Sequence, residues 1–204
     1  MKIKKVLFYA LAAVLGGCIP VISLNSFYNK SQILFDKNLL GTWVDEPNNP
    51  KTTWVFSQND DPNISYNLEF TDEEGRKGSF IANLISLKDI YFLDVYPAEM
   101  PWDPEDPNKI QYLYNSLFMI PAHAIVRIDS IESQLRLRLT ETDKIKDLLD
   151  ENPNAIAYKT IEERIILTAS TQDLQAFILK YSEDERLFPD KITLYQLGDT
   201  TSKP

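Results

Sequence analysis

The chain has 204 residues, a formal charge of −9, one cysteine and one histidine. So acidic a protein lacks the clustered Lys and Arg on which nucleic-acid binding relies, and no nucleic-acid partner is expected. With Cys18 as the sole thiol and His123 as the sole imidazole, an internal disulfide, an iron–sulfur cluster and a multi-histidine centre are excluded, and no cofactor or metal is expected.

The first residues read MKIKKVLFYALAAVLGGC. Lys2, Lys4 and Lys5 make a basic start, residues 6–15 form an uncharged apolar run, and Gly16 and Gly17 precede Cys18. This is the layout of a bacterial export signal. The run is shorter than the roughly 20 apolar residues that a bilayer crossing needs. Leu15-Gly16-Gly17-Cys18 resembles a bacterial lipobox. Resemblance to bacterial lipoproteins implies that residues 1–17 are a signal peptide cut before Cys18. It also implies a diacylglyceryl group on the sulfur and an acylated new amine, palmitate being a typical chain. A thiolate is the soft nucleophile such a transfer uses, and each buried methylene adds about 0.8 kcal/mol of membrane affinity. The expected location is therefore the bacterial cell envelope, with the membrane as a partner through the lipid. By the same resemblance, a non-aspartate at Ile19 implies the outer membrane in a Gram-negative cell. Loss of the three leader lysines with no acid takes −9 to −12, a balance that suits solubility and leaves anchoring to the lipid.

Residues 18–38 form the lipidated N-terminus and tether. Ile22, Phe27, Ile33, Leu34 and Phe35 are too apolar for a free linker, so the stretch is expected to pack on the domain, in part as a short helix. Residues 39–197 make a single β-rich domain. LLGTWVDE and TTWVFS are short aromatic strands on either side of the turn-rich PNNPK. ISYNLEFT alternates strictly, with Ile64, Tyr66, Leu68 and Phe70 on one face, which marks a half-buried strand. DEEGRKG turns the chain around Gly75. SFIANLISL and DIYFLDVYP are nearly continuously apolar, as strands covered on both faces are, and their short links argue for antiparallel pairing. Pro101, Pro104 and Pro107 make residues 98–109 a loop, and IQYLYNSLFMIPAH reads as a short helix ending before Pro121.

Strands resume with AIVRIDSI and QLRLRLT, the second placing Leu135, Leu137 and Leu139 inward. TETDKIKDLLDE carries Ile145, Leu148 and Leu149 at helical spacing. STQDLQAFILKYSED carries Leu174, Phe177, Ile178 and Tyr181, with Ser170 as the cap and Asp173 in the first turn. One or two strands lie between these helices in IAYKTIEERIILTA. KITLYQL is the last strand, and residues 198–204 are a frayed tail.

Eight or nine strands with short links and two or three added helices define a mainly β fold: an antiparallel barrel or a strongly curved sheet. Gly41-Thr42-Trp43 at the opening strand resembles the Gly-x-Trp start of lipocalin-like barrels, which implies a tryptophan plugging the closed end. A helix interrupting the late strands departs from that family. RIILTASTQDLQAFILKY is similar to an element of an uncharacterised bacterial lipoprotein family and implies no activity.

The barrel resemblance and the strand aromatics make Trp43, Trp54, Tyr66 and Phe92 candidates to line a cavity for a small apolar or lipid-like ligand. Such residues equally fill a solid core. Asp94 shares a strand face with Phe92 and Tyr96; it either pairs with Arg127 or Arg136 or projects into a pocket. His123 serves either as a general base or ligand contact, or as a strand-start residue with a satisfied hydrogen bond. The absence of a Gly-x-Ser-x-Gly elbow leaves a hydrolase using His123 as the third reading. Asp103, Glu105, Asp106 and Asn108 lack calcium-loop spacing and read as a solvated loop. The leading function is therefore a non-catalytic module binding a small apolar or lipid-like ligand, and the alternative is a structural or assembly partner of other envelope proteins, contacted through the acidic surface and the loop at Trp102. No catalytic residue is assigned.

Overall fold

The computed structural model describes residues 20–59, 65–98 and 120–198. The leader, Cys18, the proline-containing loop with Trp102, nearly all of the helix expected before Pro121, and residues 199–204 lie outside the described residues.

Among the described residues the order is β1 (Ile22–Ser23), β2 (Ile33–Leu34), β3 (Gly41–Val44), β4 (Thr53–Gln58), β5 (Tyr66–Thr71), β6 (Lys77–Leu87), β7 (Ile90–Pro97), β8 (His123–Ile131), β9 (Gln134–Leu139), α1 (Thr142–Glu151), β10 (Tyr158–Ile161), β11 (Arg164–Leu167), α2 (Thr171–Lys180) and β12 (Asp190–Gln196). β3 to β9 form an antiparallel meander. β12 then pairs with both β9 and β3 and closes the ring. The result is a closed eight-stranded antiparallel barrel of lipocalin-like type with four further strands and two α-helices.

Alternation decides which side chains enter the barrel. β5 buries Tyr66, Leu68 and Phe70 and exposes Asn67 and Glu69. β9 buries Leu135, Leu137 and Leu139, and the outward Arg138 reaches Asp129 at 2.7 Å. The inward faces merge into one apolar cluster that includes Trp43, Trp54, Phe56, Tyr66, Leu137 and Leu194. An eight-stranded barrel is just wide enough for side chains to fill it, and here they do: Trp43, Tyr66, Leu135, Leu137 and Leu194 are each 0% exposed.

β6, β7 and β8 are covered on both faces, which accounts for their near-continuous apolar sequences. Leu84, Leu93 and Val126 point inward, while their neighbours Ile85, Phe92 and Ile125 point outward into a second cluster. That cluster is built from Ile145, Leu148 and Leu149 of α1, Leu174, Phe177 and Ile178 of α2, and Ile165 and Leu167 of β11. α2 begins at Ser170, whose hydroxyl accepts from the Asp173 amide at 3.2 Å, the N-cap arrangement that satisfies a free helical donor.

The segment before β3 forms no α-helix; its helical parts are two single 3₁₀ turns. Its β-branched, apolar residues complete open sheet edges instead. β9 pairs with β8 only from Val126 onward, and β1 takes His123 and Ala124. β5 pairs with β6 only as far as Ala82, and β2 takes Leu84 and Ile85. Exposed edges carry unpaired backbone groups, so short added strands are a natural way to satisfy them. Single 3₁₀ turns at Lys30–Gln32 and Lys37–Leu39 join these pieces.

The second of those turns closes one barrel end. Phe35 stacks on Tyr66 with ring centroids 5.0 Å apart. The Tyr66 hydroxyl accepts from the Asp36 amide at 2.6 Å and donates to the Asp36 carbonyl at 3.0 Å. Trp43 Nε1 donates to the Leu39 carbonyl at 2.9 Å. Gly41 has φ +120, and an added Cβ would lie 3.0 Å from Gln196 Nε2. The Gly-x-Trp spacing thus combines a bend that disfavours L side chains with an indole seated at the plugged end. Trp43→Ala is expected to lower stability by about 3–5 kcal/mol. Ser57→Ala on the exposed face of β4 should stay within about 0.5 kcal/mol. Urea denaturation of both variants measures the contrast.

Candidate functional site

The residues marked as candidates divide into two groups separated by the barrel wall. Trp43, Trp54 and Tyr66 lie in the interior cluster. Phe92, Asp94 and His123 lie on the outer face, because Leu93 between the first two points inward. Only the outer group brings ionisable side chains together.

Asp94 is 0% exposed. A buried carboxylate must be hydrogen-bonded or paired. One oxygen, Oδ2, accepts from the backbone N–H of Phe27 at 2.6 Å. The other, Oδ1, lies 2.6 Å from His123 Nδ1; an ionised carboxylate only accepts, which assigns the proton of this contact to Nδ1. His123 begins β8, its side chain is 14% exposed, and its ring lies 5.0 Å from that of Tyr96. The pairing of Asp94 with Arg127 or Arg136 does not form. Arg127, within β8, instead reaches the turn after α2, donating to the Ser182 carbonyl and lying 2.9 Å from Glu183, and it sits 3.1 Å from Asp129 of its own strand. Arg136 points outward from β9 and is exposed.

Three further groups complete the cluster. The Tyr28 phenol lies near Tyr96 and Asn83; Asn83 stands directly opposite Asp94 in the β6–β7 register, and its Nδ2 is buried without a hydrogen-bond partner among the described residues. Burial, reinforced by the negative charge near Tyr96 and Asp94, pushes the Tyr28 phenol up to about 12. One signal in the sequence pointed here: Asn83 and Asp94 are polar interruptions of two apolar runs that pair as a hairpin. Phe27 was not legible as a participant, since it contributes a backbone N–H.

The segment over this cluster is tied down from the other side by α2. Thr171 Oγ1 donates to the Ser26 carbonyl at 2.8 Å, and Gln175 Nε2 donates to the Phe27 carbonyl at 2.7 Å. Asn25 Nδ2 donates to the Ala169 carbonyl at 2.8 Å. The Phe27 ring, 0% exposed, meets Phe92 edge-on at 5.2 Å. Asp94 therefore holds the N-terminal segment against the barrel from beneath while α2 holds it from above.

Chemically, a carboxylate on Nδ1 of an imidazole orients the ring and leaves Nε2 for proton transfer. The serine opposite His123 in the β1–β8 register is Ser23. It is buried, and its hydroxyl donates to the Asn25 carbonyl at 2.8 Å rather than to the imidazole. Among the described residues no group of three or more His, Cys, Asp or Glu side chains is placed to hold a metal. A shallow polar recess at the plugged barrel end is lined by Lys37, Asn38, Ile131, Glu132 and Gln196. No family model, curated protein or solved structure matches the chain.

Two outcomes are expected at this cluster. Asp94→Asn should cost about 1–3 kcal/mol, because it weakens the acceptor for a buried N–H. Hydrogen exchange should rise first in residues 21–32. Tyr28 is more basic folded than unfolded, so its stabilising share is whole below pH 10 and is lost as pH rises towards about 12. Tyr28→Phe should flatten the fall in urea midpoint across that window.

Proposed function

We propose that the chain is a lipid-anchored protein of the bacterial cell envelope and acts as a non-catalytic assembly module, offering its barrel exterior to other envelope proteins. The packed barrel interior is the observation that carries this choice over a carrier of small apolar ligands. Trp43, Trp54 and Tyr66, the residues that would line such a ligand, close on one another and on Leu135, Leu137 and Leu194. The basic start, apolar run and Leu15-Gly16-Gly17-Cys18 support the anchor, with lipid on Cys18. Outer-membrane delivery follows from Ile19 on the same reading.

The anchor is tested by mass spectrometry of the mature N-terminal peptide. The expected peptide starts at Cys18 and carries acyl chains, and Cys18→Ser abolishes them. Wild-type protein found with an unmodified Cys18 would refute the anchor. The carrier alternative is tested with a fluorescent apolar probe such as N-phenyl-1-naphthylamine. No saturable binding is expected. Saturable binding abolished by Trp43→Ala in a still-folded protein would return the function to ligand carriage.

The Asp94–His123 contact favours one second reading, a hydrolase with His123 as general base. Esters of p-nitrophenol then turn over in the wild-type protein and not in His123→Gln. Equal background rates in both would remove that reading.

A further inference from the structure

We propose that the outer face of the β10–β11–β1 sheet lies against the lipid bilayer, so that the barrel is held on the membrane in one orientation rather than swinging from a tether. The proposal rests on the acylation of Cys18 proposed above and adds the surface that meets the lipid.

Little chain separates Cys18 from the fold. The described fold begins at Pro20, which already bridges Glu141, and the Val21 amide donates to the Thr140 carbonyl at 3.4 Å. An extended chain advances at most about 3.3–3.6 Å per residue, so Cys18 lies within about 7 Å of Pro20. A flexible Gly/Ser linker would allow the domain many orientations; two residues allow few. Nor can the segment peel away freely, since Phe27 is bound by Asp94 and the carbonyls of Ser26 and Phe27 are bound by α2.

β1 runs parallel to β11 with Ile22 opposite Ile166, and β11 pairs antiparallel with β10 so that Lys159 faces Ile166 and Ile161 faces Arg164. Val21, Ile165 and Leu167 point into the cluster under the helices. Alternation therefore turns Pro20, Ile22, Ile166 and Ile161 to the opposite face, together with Lys159 and Arg164. Continuing the parallel register brings Pro20 level with Arg164, hence with Ile161, two strands away at about 4.8 Å each. Ile161 is 56% exposed, and Leu24, at the far end of β1, is 40% exposed. The exposed Ile161 and Leu24 and the exposed Lys159 suit a membrane interface, where the apolar groups enter and the cation meets headgroup phosphates. Glu162 and Glu163 form the adjoining turn, which makes a zwitterionic rather than an anionic surface the fitting partner.

The chemistry of the anchor supplies a clean test. Acylated Cys18 is a thioether, so an introduced cysteine is the only free thiol in the mature protein. Ile161→Cys, Lys159→Cys and Ser57→Cys are labelled with an NBD fluorophore in lipidated protein reconstituted into phosphatidylcholine vesicles carrying headgroup nitroxides. All three positions are exposed, and Ser57 lies on β4, across the barrel from β8. The expected result is a blue shift and severalfold stronger quenching at 161 and 159 than at 57. Equal quenching at all three positions, in protein whose Cys18 peptide carries its acyl chains, overturns the orientation alone. A Cys18 peptide without acyl chains overturns the anchor and the orientation with it.

Discussion

The arrangement turns on one buried carboxylate. Asp94 has no solvent, so both its oxygens must find donors inside the protein. The donors come from two distant parts of the chain, the Phe27 amide and the His123 ring. Each contact fixes something larger. His123 sets the start of β8 after the long connection from β7. Phe27 sets the path of the N-terminal segment, which then offers its carbonyls to α2. Breaking a buried pair by removing one partner is costly because the other is left uncompensated. A polar group here thus selects one docking of the segment where apolar packing alone would accept several.

That selection matters because the barrel is not a complete protein by itself. β6 and β8 extend beyond the reach of β5 and β9 and leave open edges and an apolar outer face. The N-terminal segment supplies the edge strands, and α1, α2 and β11 supply the cover. The interior cluster and the outer cluster share the wall formed by β6, β7 and β8. Alternate residues of these strands, such as Leu84 and Ile85 or Phe92 and Leu93, therefore serve different cores. The interior can be filled because an eight-stranded ring is just wide enough for side chains to meet across it, as Trp43, Tyr66 and the leucines of β9 do.

Much of this was legible where one physical rule dominated. β5 and β9 showed period-two alternation because they face the core on one side and solvent on the other. α2 carried its cap and its stripe together. β6 and β7 read as two-sided strands from their unbroken apolar runs, although nothing local could tell which elements would cover them. The N-terminal segment misled because an apolar, irregular stretch has no period of its own; its strands form only where β8 and β6 offer edges. The partner of Asp94 was hidden for a related reason. The choice among Arg127, Arg136 and His123 depends on strand register and on which face each side chain takes, and both are set by pairings far apart in sequence. Trp43, Trp54 and Tyr66 were found as buried aromatics, but composition does not distinguish a hollow barrel from a filled one.

On the proposed acyl anchor, the same constraint bears on how the protein meets a membrane. An acyl anchor holds a protein near a membrane through membrane affinity that rises with each buried methylene, but it leaves orientation to whatever joins lipid to fold. Here the joining chain is used up in sheet pairing almost as soon as it leaves Cys18, and the pairing is held by Phe27 on Asp94. On the proposed anchor, a force on the lipid would pass first to β1 and then to β8 and β11, because sheet pairing begins at Pro20. On this argument the carboxylate and imidazole do not need to perform chemistry to matter. They tie the apolar N-terminal segment to the barrel wall, where it pairs with the free stretches of β8 and β6.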